Sequence, residues 1–345
     1  MVLCHYYFNL GQTSIRIRPQ GHLRQWQAAP QQAANNMYLE FFGMRELPFT
    51  LTPNTDFFID LDGHHQALEV IQLALESGEG FIKITGEVGT GKTLLCRRLL
   101  NTLSDQFVSA YIPNPFLTPD GLMLALAEEL NLPVSPEKGR HHILGQINTQ
   151  LMSIKQAGKQ VVFLLDEAQA MPEESIEALR LLTNLETEAE KLLQVVLFGQ
   201  PELNDLLNRD SLRQLKQRIT FSYVLPTLTE EEVTSYINHR LARSGFPGVN
   251  LFSPKAIQEV FKASAGIPRI INILCHKALL VAYGRGDTKI THLHVGRAVE
   301  DTEDARIHEN YTQRSMRNGP NWLTLVMSCV AASALTLLAV YWLGL

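Results

Sequence analysis

FIKITGEVGTGKTLLCRRLL, residues 81–100, decides how the rest of the chain is read. Phe81, Ile82, Ile84 and Thr85 are aromatic or β-branched, as a buried strand prefers. Gly86, Gly89 and Gly91 follow and permit backbone angles that a side chain forbids. From Thr93 onward the pattern turns helical, with Leu94, Leu95, Leu99 and Leu100 to bury. Between strand and helix stands Gly86-Glu87-Val88-Gly89-Thr90-Gly91-Lys92-Thr93, a complete Walker A sequence. The spacing has a chemical reason. Backbone N–H groups of the turn wrap an anion at the helix N-terminus, next to Leu94. Lys92 is placed to reach β- and γ-phosphates, and the Thr93 hydroxyl to ligate Mg²⁺. A glycine turn can arise by chance, but a strand before it and a helix after it argue for phosphate binding. ATP with Mg²⁺ is the ligand this stretch implies.

Further along, VVFLLD at 161–166 is an unbroken apolar run ending in a carboxylate, as buried parallel strands do. Glu167 follows at once, giving Asp166-Glu167-Ala168-Gln169, a Walker B pattern. Asp166 would hold the Mg²⁺ shell and Glu167 would orient or deprotonate the attacking water. The rival reading, a helix N-cap pair, does not explain the strand before it. LLQVVLFG at 192–199 reads as a further strand, with Gln200 at its end where a polar sensor of the γ-phosphate would stand. ITFSYVL at 219–225 reads as the last. Five parallel strands with interleaved helices make a doubly wound α/β layer, with nucleotide at the carboxyl ends of the strands.

After that layer come helical signals. Thr229-Glu230-Glu231-Glu232 is a capping box. Ser253-Pro254 opens a second helix, Pro268 a third and Thr291 a fourth, an all-helical lid. At its centre is Gly266-Ile267-Pro268-Arg269. An arginine at a helix start beside the nucleotide can read the γ-phosphate; taken alone it would be an ordinary surface charge.

Composition sets the frame. The 345 residues can hold about two domains, and 45% hydrophobic with 19% charged residues describe a chain that is mostly globular. A net charge of −5 argues against a nucleic-acid-coating protein. Cys4, Cys96, Cys275 and Cys329 form no paired motif and read as reduced thiols. The expected limits are a tail without acidic residues at 1–36, disordered or preceding the true start at Met37, and a nucleotide-binding domain at 37–226. The lid follows at 227–305, then a polar linker at 306–321. The stretch 322–345 carries no charge and at 1.5 Å per residue spans about 36 Å, enough for a transmembrane helix. Arg306, Arg314 and Arg317 precede it, so the positive-inside rule places the ATPase in the cytoplasm, on a single-pass inner-membrane anchor.

Taken together, YLEFFGM, LPFTLTPNTDFF, GEVGTGKT, LLDEAQ, LFGQPEL and GIPRIIN resemble the AAA+ ATPases of the general secretion pathway protein A (ExeA) type, within them the branch tied to MSHA-type pilus biogenesis. The resemblance covers about 38–302. It implies an AAA+ module that hydrolyses ATP, assembles into homo-oligomers and serves inner-membrane pilus or secretion proteins. Carried over by position, it makes Gln200 sensor 1 and Arg269 sensor 2. It also implies an arginine finger just before the last strand, Arg218 or else Arg213. Gln200 departs from the asparagine common at sensor 1. A different class, the nucleotide-switched DNA regulators of transposition ATPase type, shares the core; the uncharged terminal stretch and the acidic balance weigh against it.

Overall fold

A computed structural model describes residues 6–10, 13–17, 31–52, 54–133, 139–183, 191–303 and 305. Strands β1 (Tyr6–Leu10) and β2 (Thr13–Ile17) form an antiparallel hairpin, pairing Tyr6 with Ile17 and Leu10 with Thr13. Helix α1 runs from Gln31 to Phe42. Both strands and the start of α1 fall within 1–36, the stretch expected to be a disordered tail or to precede the true start. Its Tyr6-Tyr7-Phe8 and Ile15-Arg16-Ile17 runs are β-prone, though too short to announce themselves as periodicity.

Five strands form the central sheet: β3 (Phe81–Thr85), β4 (Phe107–Ile112), β5 (Gln160–Leu165), β6 (Leu193–Gly199) and β7 (Ile219–Val224). All neighbouring pairs are parallel, in the order β4-β5-β6-β3-β7. The period-two side-chain alternation of each strand fills two separate cores. Val161, Phe163 and Leu165 of β5, with Leu193, Val195 and Leu197 of β6, face one side. Helices α4 (Pro119–Glu129), α5 (Arg140–Gln156), α6 (Glu173–Leu182), α7 (Glu202–Leu207) and α8 (Arg213–Arg218) lie there, leucine-rich and largely buried along their inner stripes. Val162, Leu164, Val196 and Phe198 face the other side, against α2 (Asp62–Glu76) and α3 (Lys92–Thr102). Strand β6 is buried along its whole length, which its unbroken apolar run anticipates. Edge strand β7 alternates half-buried and exposed residues.

The lid is α9 (Glu230–Arg243), α10 (Pro254–Ser264), α11 (Pro268–Arg285) and α12 (His292–Glu300). The expected capping box is present at α9: the Thr229 hydroxyl accepts from the Glu232 N–H, and the Glu232 carboxylate accepts from the Thr229 N–H. The lid core has members that no local pattern pointed to. Tyr38, Phe42, Met44, Phe49 and Leu61 pack with Val233, Ile237, Phe252, Ile271 and Leu274. Arg240 pins this N-terminal strap down: its Nε donates to the Pro48 carbonyl at 2.6 Å, its Nη1 to the Tyr236 hydroxyl at 2.8 Å, and its guanidinium lies 4.9 Å from the Phe57 ring centroid. Tyr38, Phe42, Met44, Phe49 and Leu61, which sequence order puts with the nucleotide-binding domain, are therefore buried in the lid core.

The chain crosses between the two units twice, and the crossings touch. The Pro226 ring sits so close to Gly63 that a β-carbon there would lie 2.7 Å from its Cγ.

One expectation is corrected. No helix among the described residues is long and apolar enough to cross a membrane, and 322–345 lies outside the described residues. Among the described residues the fold is the five-stranded parallel sheet with its helical lid, and it includes no membrane-spanning helix. The expectations that rested on that helix, a single-pass inner-membrane location and a membrane-anchored pilus factor, are withdrawn with it. An uncharged run satisfies a length criterion but says nothing by itself about how it folds.

Candidate active site

The site lies at the carboxyl ends of β3, β5 and β6, where the chain leaves each strand. After β3 the backbone takes φ +84° at Gly89 and +99° at Gly91, left-handed angles that cost a side-chained residue energy. Gly91 is the N-cap of α3. The turn is also crowded from three sides. A β-carbon on Gly86 would stand 3.1 Å from Cβ of Leu225, on Gly91 3.0 Å from His64 Nε2, and on Gly89 2.5 Å from Cβ of Arg269. So glycine is needed here for conformation and for closeness at once.

Lys92 is almost wholly buried, and its ammonium donates to the Gly86 carbonyl at 2.8 Å and the Glu87 carbonyl at 2.9 Å. Burial lowers its pKa, and the charges of Glu167, Asp166, Glu87 and Glu202 oppose that shift. The anionic groups keep the buried Lys92 charged, and a charged, desolvated ammonium is a strong donor to phosphate oxygens.

Asp166 is buried at the end of β5, and burial pushes its carboxyl upward. Hydrogen bonds from the Thr93 side chain and the Glu167 N–H oppose that rise. Walker A and Walker B thus meet through one hydroxyl and one carboxylate. These are hard oxygen donors, the kind Mg²⁺ takes alongside phosphate and water.

Glu167 sits in the left-handed region, φ +54°, unusual for a residue with a side chain. Its Oε2 accepts from Nε2 of Gln169 at 2.5 Å and from Nε2 of Gln200 at 3.0 Å. The Gln200 backbone N–H in turn donates to Oε1 of Gln169 at 3.0 Å. Gln200 is thereby placed beside Glu167, and its side chain, one methylene longer than asparagine, spans that gap.

Arg269 reaches the turn from the lid: its backbone N–H donates to the Gly89 carbonyl at 3.1 Å, and Ile267 packs on the same glycine. Gly266 makes that approach feasible, since a β-carbon there would collide with the Leu228 carbonyl at 2.1 Å. The structure therefore gathers Gly86–Thr93, Asp166, Glu167, Gln200 and Arg269 around one turn. Arg218 and Arg213 are not part of it. Arg218 precedes β7, whose first residue pairs with Phe81 at the start of β3, so it lies at the opposite end of the strands, roughly 17 Å away for five residues. Both arginines are exposed.

Two participants went unread in the sequence. Gln169 was part of a quoted motif without a role; its position two residues after a carboxylate was the available signal. His64 is buried at the amino end of α2 and donates from Nε2 to the Thr90 carbonyl at 3.2 Å. Its Nδ1 is buried without a partner, and burial lowers its pKa against the effect of that hydrogen bond. Nothing local distinguishes it from a surface histidine.

A glycine turn on a buried strand, paired with a carboxylate strand end and capped by a helical lid, defines a P-loop ATPase of the AAA+ class. A family model described as an AAA domain matches residues 75–207, and the chain carries an AAA+ ATPase domain that hydrolyses ATP. It is 41% identical to general secretion pathway protein A of Aeromonas hydrophila over 308 residues, 89% of this chain and 54% of that protein. The chain thus spans about half the length of that relative. Among solved structures, Drosophila ORC bound to DNA is similar with a TM-score of 0.56 at 19% identity, covering 92% of this chain and 77% of that one. The Aeropyrum pernix ORC2 protein in ADPNP and ADP complexes is similar with a TM-score of 0.53 at 17% identity, covering 70% and 67%. At these identities the structural likeness is one of fold.

Proposed function

We propose that this ATPase works as a homo-oligomer and couples ATP hydrolysis to the assembly or operation of a secretion machinery. The name of its 41% identical relative supports the secretion part. The observation that carries the chemical part is the junction of Thr93 with Asp166. A hydroxyl from the first turn of α3 and a carboxylate from the end of β5, drawn together, fit Mg²⁺, which when bound neutralises charge on the β- and γ-phosphates. The backbone N–H groups of 86–93 hold the phosphates, and Lys92 turns from the Gly86 and Glu87 carbonyls to the phosphate oxygens. Glu167 takes the proton of the attacking water or orients it; Gln200 and Arg269 sense the γ-phosphate from sheet and lid. A role as a DNA regulator is favoured by no observation among the described residues, since the ORC likeness is one of fold.

Lys92→Ala is expected to abolish nucleotide binding, losing a charged contact worth about 1.5–3 kcal/mol together with the loop order it supports. Glu167→Gln keeps binding and loses turnover, because it acts on the transition state alone. Titration with a fluorescent ATP analogue and single-turnover hydrolysis separate the two. Wild-type turnover by Glu167→Gln would remove the base from this mechanism. In the source cell, Glu167→Gln in place of the wild-type protein should block export of secreted proteins; unchanged export would overturn the secretion reading.

A further inference from the structure

We infer that Gln169 is a positioning residue for hydrolysis, holding the Glu167 carboxylate and linking it to Gln200. The inference rests on the reading of Glu167 as the group that activates water. Gln169 lies on a single 3₁₀ turn, Ala168–Ala170, directly after β5. The left-handed backbone of Glu167 reverses the chain so that the side chain two residues later returns onto the Glu167 carboxylate.

The orientation of its amide follows from the partners. Gln200 presents a backbone N–H, which can only donate, so Oε1 of Gln169 must face it. That leaves Nε2 facing Oε2 of Glu167, which as a carboxylate oxygen can only accept. Neither end can be exchanged without losing both hydrogen bonds. The second amide, that of Gln200, donates to the same Oε2. Oε2 is therefore taken by two donors, while Oε1 has no donor among the hydrogen bonds of this network. In the proposed reaction Oε1 is the oxygen left to meet a water. Gly199 adds to the fit: a β-carbon there would stand 3.3 Å from Oε1 of Gln169. The bridge runs from the end of β5 to the end of β6, so a displacement of Gln200 by the γ-phosphate is transmitted to Glu167 through two hydrogen bonds.

The test uses the full chain and ATP. Gln169→Leu removes both hydrogen bonds at similar volume. Gln169→Glu keeps the acceptor for the Gln200 N–H and replaces the donor to Glu167 by a second carboxylate. Both are expected to lower kcat about ten- to hundredfold, with the Kd for a fluorescent ATP analogue within about twofold of wild type. On the Glu167→Gln background neither change should alter the residual rate, because its target is gone. A matching fall in ATP affinity, or an equal further loss of rate on that background, would overturn the inference in favour of a structural role. A rise in kcat would overturn it too. If Gln169→Leu fails to fold, Gln169→Glu carries the test alone, as an isosteric change. Wild-type kcat in the Gln169 variants with an inactive Glu167→Gln protein would sink this inference and leave the base assignment standing. An active Glu167→Gln protein would sink the base assignment first.

Discussion

Gly89 is where the phosphate loop and the lid touch most closely. Alanine there must adopt φ +84° and place its methyl 2.5 Å from the Arg269 β-carbon. The backbone term alone costs about 1–2 kcal/mol. The clash adds to it and has to push the N-terminus of α11 away from the loop. Gly78→Ala is the natural control, with φ +74° and nothing within 4 Å of the new carbon. Both variants should lose stability in thermal melts, but only Gly89→Ala should also lose nucleotide affinity. Equal affinities in a fluorescent ATP titration would show that this contact does not shape the site. At this scale the sequence was most informative where function is written in neighbouring residues. Gly86–Thr93 and Asp166–Glu167 could be read because the strand, the turn and the charge lie in one stretch. The bond of Gln169 to Gln200 and that of His64 to Thr90 could not, because those partners become neighbours only when separate strand and helix ends are brought together.

At the scale of elements, α1 and α11 are joined by a pair that responds to acid. The Tyr38 hydroxyl donates to Nδ1 of His276 at 3.1 Å, and the rings meet edge to face at 5.6 Å. Burial first, and the charge of Lys277 second, lower the pKa of His276 to about 4. In the unfolded chain a histidine titrates near 6.5. On acidification the unfolded state binds the proton first, so this contribution to stability is complete above about 6.5 and is lost as the pH falls towards 4. Protonation at Nδ1 also removes the acceptor that Tyr38 uses. Over that window the melting temperature of the wild type should fall more than that of His276→Gln. Parallel curves for the two proteins would contradict it. The same pair shows why the packing partner of the strap at 38–61 could not be read along the chain. Its aromatic residues announce burial, but apolar character does not name the surface that covers it. Strand β6 was easier, since a run buried on both faces has only one kind of place in an α/β sheet.

For the whole molecule, the position of Arg218 is informative because it is remote. It stands at the end of α8, its Nη1 3.5 Å from the Thr183 hydroxyl, at the opposite end of the strands from its own phosphate loop. If it acts in hydrolysis it must do so on the site of a neighbouring copy. Arg218→Ala and Lys92→Ala should each be inactive alone. Mixed, they should recover part of the activity, because some interfaces then pair an intact loop with an intact arginine. A finger of this kind contributes a rate factor on the order of 10³ or more, so even a minority of mixed sites is measurable. No recovery at any ratio, with assembly verified by light scattering, would rule out Arg218 and move the test to Arg213.

The strap that completes the lid core has a consequence for the order in which the chain can fold. Tyr38 and His276 are 238 positions apart, so a ribosome makes Tyr38 long before its partner. Until then Tyr38, Phe42, Met44, Phe49 and Leu61 have no lid to enter, and such long-range closure is slow. The sheet has its strands in hand much sooner, once β7 is made. The nascent protein thus passes through a stage in which the catalytic half can close while its aromatic leader remains exposed. That is a window in which a chaperone, or a second nascent chain, would find an apolar segment to bind.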